Sequence, residues 1–330
     1  MIAVWAKRVF KHLSFALALV GLFALILAGM IAVPVSKPAP LAMISDTVRA
    51  ADREGIPALS YFQARDGTQL GYRHYAARAP AAGRATVLIH GSSGSSLAMH
   101  PLAKALAARG VESFVPDIRG HGVSGTRGDI GYLGQLEDDM ADLVRHLRGS
   151  APDVPLTLVG HSSGGGLALR VAGSPVQGLF ARTVLLSPFL GYKAVSTRPH
   201  AGGWASPDLP RIIGLYILRS FGITCCDQLP VIAFAVPANS TRILTAEYSF
   251  RLLTNFGANR EYRDDLNAAK GPLTLIAGAN DELMFAGKYQ EAVAGTTAKI
   301  DVKILDNVNH MDVVSTATAL PAVVEDIATR

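Results

Sequence analysis

LTLVGHSSGGG, residues 156–166, is the stretch around which the rest of the chain makes sense. A short apolar run feeds into Gly160-His161-Ser162-Ser163-Gly164, and a helix-compatible segment, LALRVAG, follows at once. The pattern predicts a strand, a tight turn and a helix, with the central serine at strained backbone angles and its hydroxyl held out above a sheet. Glycines flank it because a Cβ at 160 or 164 would collide with the neighbouring strand or helix. Ser162 is therefore the candidate nucleophile, and its partners must come from elsewhere in the chain.

On either side of this elbow, short β-branched apolar runs recur at 86–90, 111–116, 183–187, 273–277 and 300–305. Such runs suit parallel strands covered on both faces. Helical patterns lie between them, clearest at 132–147, where Leu133, Leu136, Met140, Leu143, Val144 and Leu147 recur at helical spacing. Glu137, Asp138, Asp139 and Asp142 are expected to face away from that apolar stripe. Two strands around Arg65-Asp66-Gly67-Thr68 read as a hairpin. Strands alternating with helices predict an α/β fold with a mostly parallel sheet. Residues 191–260 break the alternation and read as extra helices forming a lid.

In open α/β sheets ligands sit at the carboxyl ends of strands, so the partners of Ser162 should follow later strands. The run 273–277 leads into Gly278-Ala279-Asn280-Asp281-Glu282, and 300–305 leads into Asp306-Asn307-Val308-Asn309-His310-Met311-Asp312. His310 is the candidate base that activates the hydroxyl. Asp281 is the candidate carboxylate that orients the imidazole, with Glu282, Asp306 and Asp312 as alternatives. The oxyanion needs backbone donors, one of which is expected from Ser163. The other should come from the small-residue loop His90-Gly91-Ser92-Ser93-Gly94, with Ser92 the first choice and Ser93 the second.

His90-Gly91 after one strand, Asp117-Ile118-Arg119-Gly120-His121-Gly122-Val123-Ser124-Gly125 after the next, and Gly160–Gly165 in the elbow together resemble the α/β-hydrolase family. Within it they are most similar to the monoacylglycerol lipase and lysophospholipase branch. The resemblance runs in order over residues 85–310. It implies a serine hydrolase of acyl esters that needs no cofactor, with Arg119 and His121 shaping the wall beside the site. His161, inside the elbow, reads as an orienting residue. The lid carries seven Lys or Arg against three Asp or Glu, which suits neutral or anionic substrates better than a free ammonium group.

Composition sets the frame. The chain has 330 residues, 49% apolar and 17% charged, enough to bury a large core. Residues 13–33 are apolar except for Ser14, and as a helix rising about 1.5 Å per residue they match a hydrocarbon core of roughly 30 Å. Lys7, Arg8 and Lys11 precede this run, so the positive-inside rule predicts an uncleaved anchor with a cytoplasmic N-terminus at 1–12 and the catalytic domain outside. A cleaved signal peptide, and hence a secreted protein, is the rival. A Pro-rich linker at 34–44 would lead to the catalytic domain at 45–330. The net charge of +5 comes with no basic run after the anchor, so nucleic acid is not an expected partner. Cys225 and Cys226 are adjacent and read as small buried apolar residues, with no metal-ligand spacing.

Overall fold

The computed structural model describes residues 2–41, 52–78, 81–149, 154–237 and 244–329. The expected boundary between linker and catalytic domain at 44/45 lies outside these, as does Arg242 of the lid.

In chain order the strands are β1 (Leu59–Gln63), β2 (Gln69–Tyr75), β3 (Ala85–Ile89), β4 (Glu112–Pro116), β5 (Leu156–His161), β6 (Arg182–Leu186), β7 (Ala205–Pro207), β8 (Pro230–Phe234), β9 (Glu247–Ser249), β10 (Leu273–Gly278) and β11 (Ile300–Leu305). The helices are α1 (Ile2–Ala32), α2 (His100–Ala108), α3 (Gln135–Arg148), α4 (Ser163–Ala172), α5 (Leu209–Ser220), α6 (Phe250–Asn255), α7 (Tyr262–Ala268), α8 (Tyr289–Val293), α9 (Asp312–Ser315) and α10 (Leu320–Thr329). The main sheet runs β1-β2-β4-β3-β5-β6-β10-β11. From β4 to β11 its pairings are parallel, while the β1–β2 hairpin joins antiparallel at one edge.

Side chains of successive strand residues point to opposite faces, and both faces are packed. Leu158 and Leu185 join the core shared with α3, α4 and α7. Val159, Val184 and Leu186 join the core shared with α2 and α10. This double burial is why the central strands read as continuous apolar runs rather than as an alternation.

Three expectations need correction. Helix α3 begins at Gln135 rather than 132, because Gly134 takes φ +94° and starts the helix, leaving Tyr132 and Leu133 exposed. Asp139 and Asp142 do not face away; they are buried as partners of Arg119 and Arg65. The lid is not purely helical: besides α5 and α6 it holds a three-stranded antiparallel sheet, β7-β8-β9, whose strands are too short to show a period in sequence. The cysteines differ in part from expectation: both are free thiols in the turn after α5, where Cys225 is exposed and Cys226 is half-buried against the small apolar cluster of Leu215, Val231 and Phe250.

Candidate active site

Ser162 stands between β5 and α4 with φ 56° and ψ −121°, backbone angles that an L-residue rarely adopts. The strain is held by hydrogen bonds on both sides. The Ser162 N–H donates to Leu186 O at 2.9 Å, and its carbonyl accepts from Phe189 N at 2.9 Å and Gly166 N at 3.1 Å. The flanking glycines are required sterically. A Cβ on Gly160 would sit 2.1 Å from Gly164 O, and one on Gly164 would sit 2.3 Å from His90 O. Ser163 is the first residue of α4, so its N–H has no partner within the helix and lies at the positive end of the helix dipole.

The loop after β3 runs against this elbow. A Cβ on Gly91 would lie 3.1 Å from Ser162 Cβ, a tight approach that glycine relieves. Beyond it the two candidate serines behave differently. Ser93 takes φ +66° and is buried, and its N–H donates to the Tyr248 hydroxyl at 2.6 Å. Ser93 Oγ donates to Thr245 O at 2.6 Å, and Thr245 N–H returns a bond to Ser93 O at 2.9 Å. The Ser93 amide is thus engaged by the lid. Ser92 accepts at Oγ from Trp204 Nε1–H at 2.8 Å, a bond that steadies the loop without using the Ser92 amide.

Tyr248 continues inward, donating from its hydroxyl to His121 Nε2 at 2.5 Å, while His121 Nδ1–H donates to Arg119 O at 3.3 Å. Burial, reinforced by the nearby His90 ring, holds the His121 pKa well below its ordinary value, so it is a neutral acceptor for the phenol. Burial raises the pKa of Tyr248, which keeps its proton. His90 is likewise neutral through burial, accepting Ile118 N–H at Nε2 and donating from Nδ1 to Gly91 O at 2.8 Å. His121 therefore supports the loop through Tyr248. Arg119, expected to form the wall beside the site, instead carries its guanidinium into a buried ion-pair cluster, 2.8 Å from Asp139 and 3.0 Å from Asp66. An arginine so placed is neutralised where it stands.

Asp281 and His310 follow β10 and β11. His310 Nδ1–H donates to Asp281 Oδ2 at 2.8 Å, and both side chains are buried. Asp281 Oδ1 accepts the N–H groups of Leu283 at 2.9 Å and Met284 at 2.8 Å. Burial by itself would raise the Asp281 pKa, but the His310 charge and these hydrogen bonds outweigh it and hold the carboxyl below its ordinary value. The alternative acids are occupied elsewhere or solvated. Glu282 accepts the His310 backbone N–H at 2.9 Å, Asp312 accepts Asn309 N–H at 3.0 Å, and Asp306 is exposed. His161 brings the elbow and the base together. Its Nε2–H donates to His310 O at 3.0 Å, and the two rings lie 4.8 Å apart. Burial, with His310 beside it, pushes the His161 pKa down to about 3, so it stays neutral.

The start of the lid laces onto the acid loop. Arg198 Nε donates to Asp281 O at 3.2 Å and Met284 O at 3.1 Å, and its guanidinium lies 4.2 Å from the centre of the Phe285 ring. Trp204, Tyr248 and Arg198 were not foreseen in these roles. All three lie in the lid, where the sequence carries no motif to point to them. Among the described residues, no three His, Cys, Asp or Glu side chains are gathered so as to hold a metal ion.

Residues 81–313 match the family described as serine aminopeptidase, S33. The chain belongs to this family. Two curated proteins are similar to parts of this S33 member. The magnesium-chelatase 30 kDa subunit of Rhodobacter capsulatus is 32% identical over 130 residues, 38% of this chain and 44% of that protein. Non-heme chloroperoxidase CPO-A1 of Kitasatospora aureofaciens is 35% identical over 123 residues, 37% of this chain and 42% of that one. The chain thus spans under half the length of these curated relatives. Among solved structures, a monoglyceride lipase from Saccharomyces cerevisiae in complex with a substrate analog superimposes with a TM-score of 0.61 at 18% identity. That match covers 84% of this chain and 95% of the lipase, and it establishes the shared α/β-hydrolase fold.

Proposed function

We propose that this S33 family member is a membrane-tethered serine hydrolase of carboxylic esters, with lipid-like acyl esters such as monoacylglycerols or lysophospholipids as its substrates. The observation that carries the proposal is the 2.8 Å bond from His310 Nδ1 to Asp281, on a loop that His161, the neighbour of the strained Ser162, ties to the elbow. With Nδ1 committed to the carboxylate, Nε2 is the nitrogen left to take the serine proton. Ser162 Oγ attacks the ester carbonyl as His310 accepts its proton, and Asp281 stabilises the imidazolium so formed. The tetrahedral oxyanion is received by the N–H groups of Ser163 and Ser92. His310 then protonates the departing alcohol, leaving an acyl-enzyme that water cleaves by the same steps.

Three features favour lipid esters over peptides. The lid's three carboxylates are all engaged: Asp208 by the Arg211 N–H, Asp227 by Arg219 and Glu247 by Lys37. Each already faces a cation or a backbone amide, so the lid offers no isolated carboxylate to a substrate ammonium. The lid is rich in apolar side chains, and burying an acyl chain of eight methylenes supplies about 6 kcal/mol at about 0.8 kcal/mol each. Finally, residues Lys7–Ala32 form a helix long and apolar enough to cross a membrane. Lys7, Arg8 and Lys11 at its N-terminal end favour a cytoplasmic N-terminus and a catalytic domain on the outer side.

The test is a panel of p-nitrophenyl esters of rising chain length, with an aminoacyl p-nitroanilide beside them, on the full-length protein in detergent. Medium-chain esters should have the highest kcat/KM. Preference for acetate would remove the lipid part, and faster anilide cleavage would make the protein a peptidase.

A further inference from the structure

The end of the N-terminal helix is built into the lid. Arg211, in the first turn of α5, is buried, and its Nε donates to Ile31 O at 2.8 Å while Nη1 donates to Pro230 O at 2.6 Å. Nη2 donates to Val33 O as well. The last carbonyls of a helix have no partners within it, and Pro34 has no N–H to offer, so a cation here satisfies them at the negative end of the helix dipole. Further along α5, Gly214 lets the two helices touch. A Cβ there would lie 3.1 Å from Ile31 Cγ1 and 3.4 Å from Leu27 Cδ1. Beyond the helix, Lys37 pairs with Glu247 at 3.0 Å and Leu41 N–H donates to Ala235 O at 3.3 Å. A simple tether would leave this stretch free of contacts.

Depth follows from helix geometry. At about 1.5 Å per residue, Leu27 lies only about 7 Å before the end of α1, so α5 packs against the last turns of the apolar span. That holds α5 at the membrane surface, on the side away from Lys7, Arg8 and Lys11. Leu209, Ile213 and Tyr216 recur on α5 at helical spacing and are exposed, as are Phe221 and Ile223 just after it. Such a row would be an aqueous liability but suits the boundary between headgroups and acyl chains.

We infer that Arg211 clasps the anchor so that the lid helix α5 is carried at the outer bilayer surface, with Leu209, Ile213, Tyr216, Phe221 and Ile223 in contact with lipid. The inference rests on reading α1 as a membrane span, and the experiment separates the two. The full-length protein is placed in phosphatidylcholine vesicles, with and without lipids brominated near the glycerol end of the acyl chains. Trp5, in α1, reports insertion of the anchor. Phe221→Trp in a Trp5→Phe background reports α5, with Trp5→Phe alone as the blank. We expect brominated lipid to quench most of the emission added by Phe221→Trp. Adding Arg211→Ala should abolish that quenching while leaving Trp5 quenched in the Arg211→Ala protein, with hydrolysis of a short soluble ester reporting that the variant is folded. Quenching of Trp5 without quenching of the α5 reporter would overturn the inference and leave the anchor standing. Quenching of the α5 reporter that persists in Arg211→Ala would overturn the clasp, and an unquenched Trp5 would remove the membrane span and this inference with it.

Discussion

Replacing Tyr248 with Phe removes one oxygen atom and leaves the ring in place, so it isolates the contribution of a single hydroxyl that links the lid to the loop proposed to supply an oxyanion donor. In the structure that hydroxyl accepts Ser93 N–H at 2.6 Å and donates to His121 Nε2 at 2.5 Å, and Tyr248, Ser93 and His121 are each 1% exposed. Both partners would be left unpaired in a dry interior, at a cost of about 1–3 kcal/mol each, so we expect a loss of about 3 kcal/mol. For a domain of roughly 285 residues, at about 2.1 cal/mol/K per residue, that corresponds to a Tm lower by about 5 °C. The kinetic consequence follows from the neighbouring residue. Losing one oxyanion donor outright costs about 10² to 10³ in kcat. Loosening the loop that presents Ser92 should cost less, about tenfold, and should fall on kcat with little change in KM. Thermal unfolding and steady-state hydrolysis of a soluble ester measure the two effects. A variant matching the parent protein in Tm and kcat would refute the claim that the lid holds this loop through Tyr248.

Other expectations follow from the same geometry. Ser162→Ala should abolish turnover with Tm nearly unchanged, since alanine also carries a Cβ at φ 56°. Ser162→Gly should abolish turnover and raise stability by about 1 kcal/mol by relieving that strain, both read by thermal unfolding. Asp281→Asn should lower kcat by about 10⁴ with ligand binding largely kept, and an unchanged kcat would move the orienting role to another carboxylate. Because the folded pKa of Asp281 is held below its ordinary 3.8, its stabilisation is present above about that pH and is lost as pH falls through the folded value. Urea midpoints between pH 6 and pH 3 should therefore decline less in Asp281→Asn than in the parent. Gly164→Ala should fail to accumulate as folded protein, because its Cβ would meet the His90 carbonyl at 2.3 Å, and a soluble, active variant would show that the elbow can shift.

Much of this protein is decided by near neighbours in sequence. The central strands are legible because parallel strands buried on both faces must be apolar throughout, and the elbow because glycine is the residue that fits beside a serine at those angles. The apolar helix at the N-terminus is legible from length and hydropathy. What the sequence could not decide are choices between chemically equivalent neighbours, since these turn on contacts with distant segments. Ser92 and Ser93 are adjacent and identical in type, and they part company only because Tyr248, far along the chain, takes the Ser93 amide. Asp281 and Glu282 are both carboxylates after β10, yet one meets the His310 ring and the other its backbone. Asp139 and Asp142 read as outward-facing from local periodicity and Arg119 as a wall residue from the family resemblance, but the hairpin packs on α3 and turns all three into buried ion pairs. The contact of Arg211 with the end of α1 joins segments far apart in the chain and has no local signature. Periodicity and backbone sterics act over a few residues and are written in the sequence. The pairing of polar groups in the interior is set by which distant segments meet, and so belongs to the tertiary structure alone.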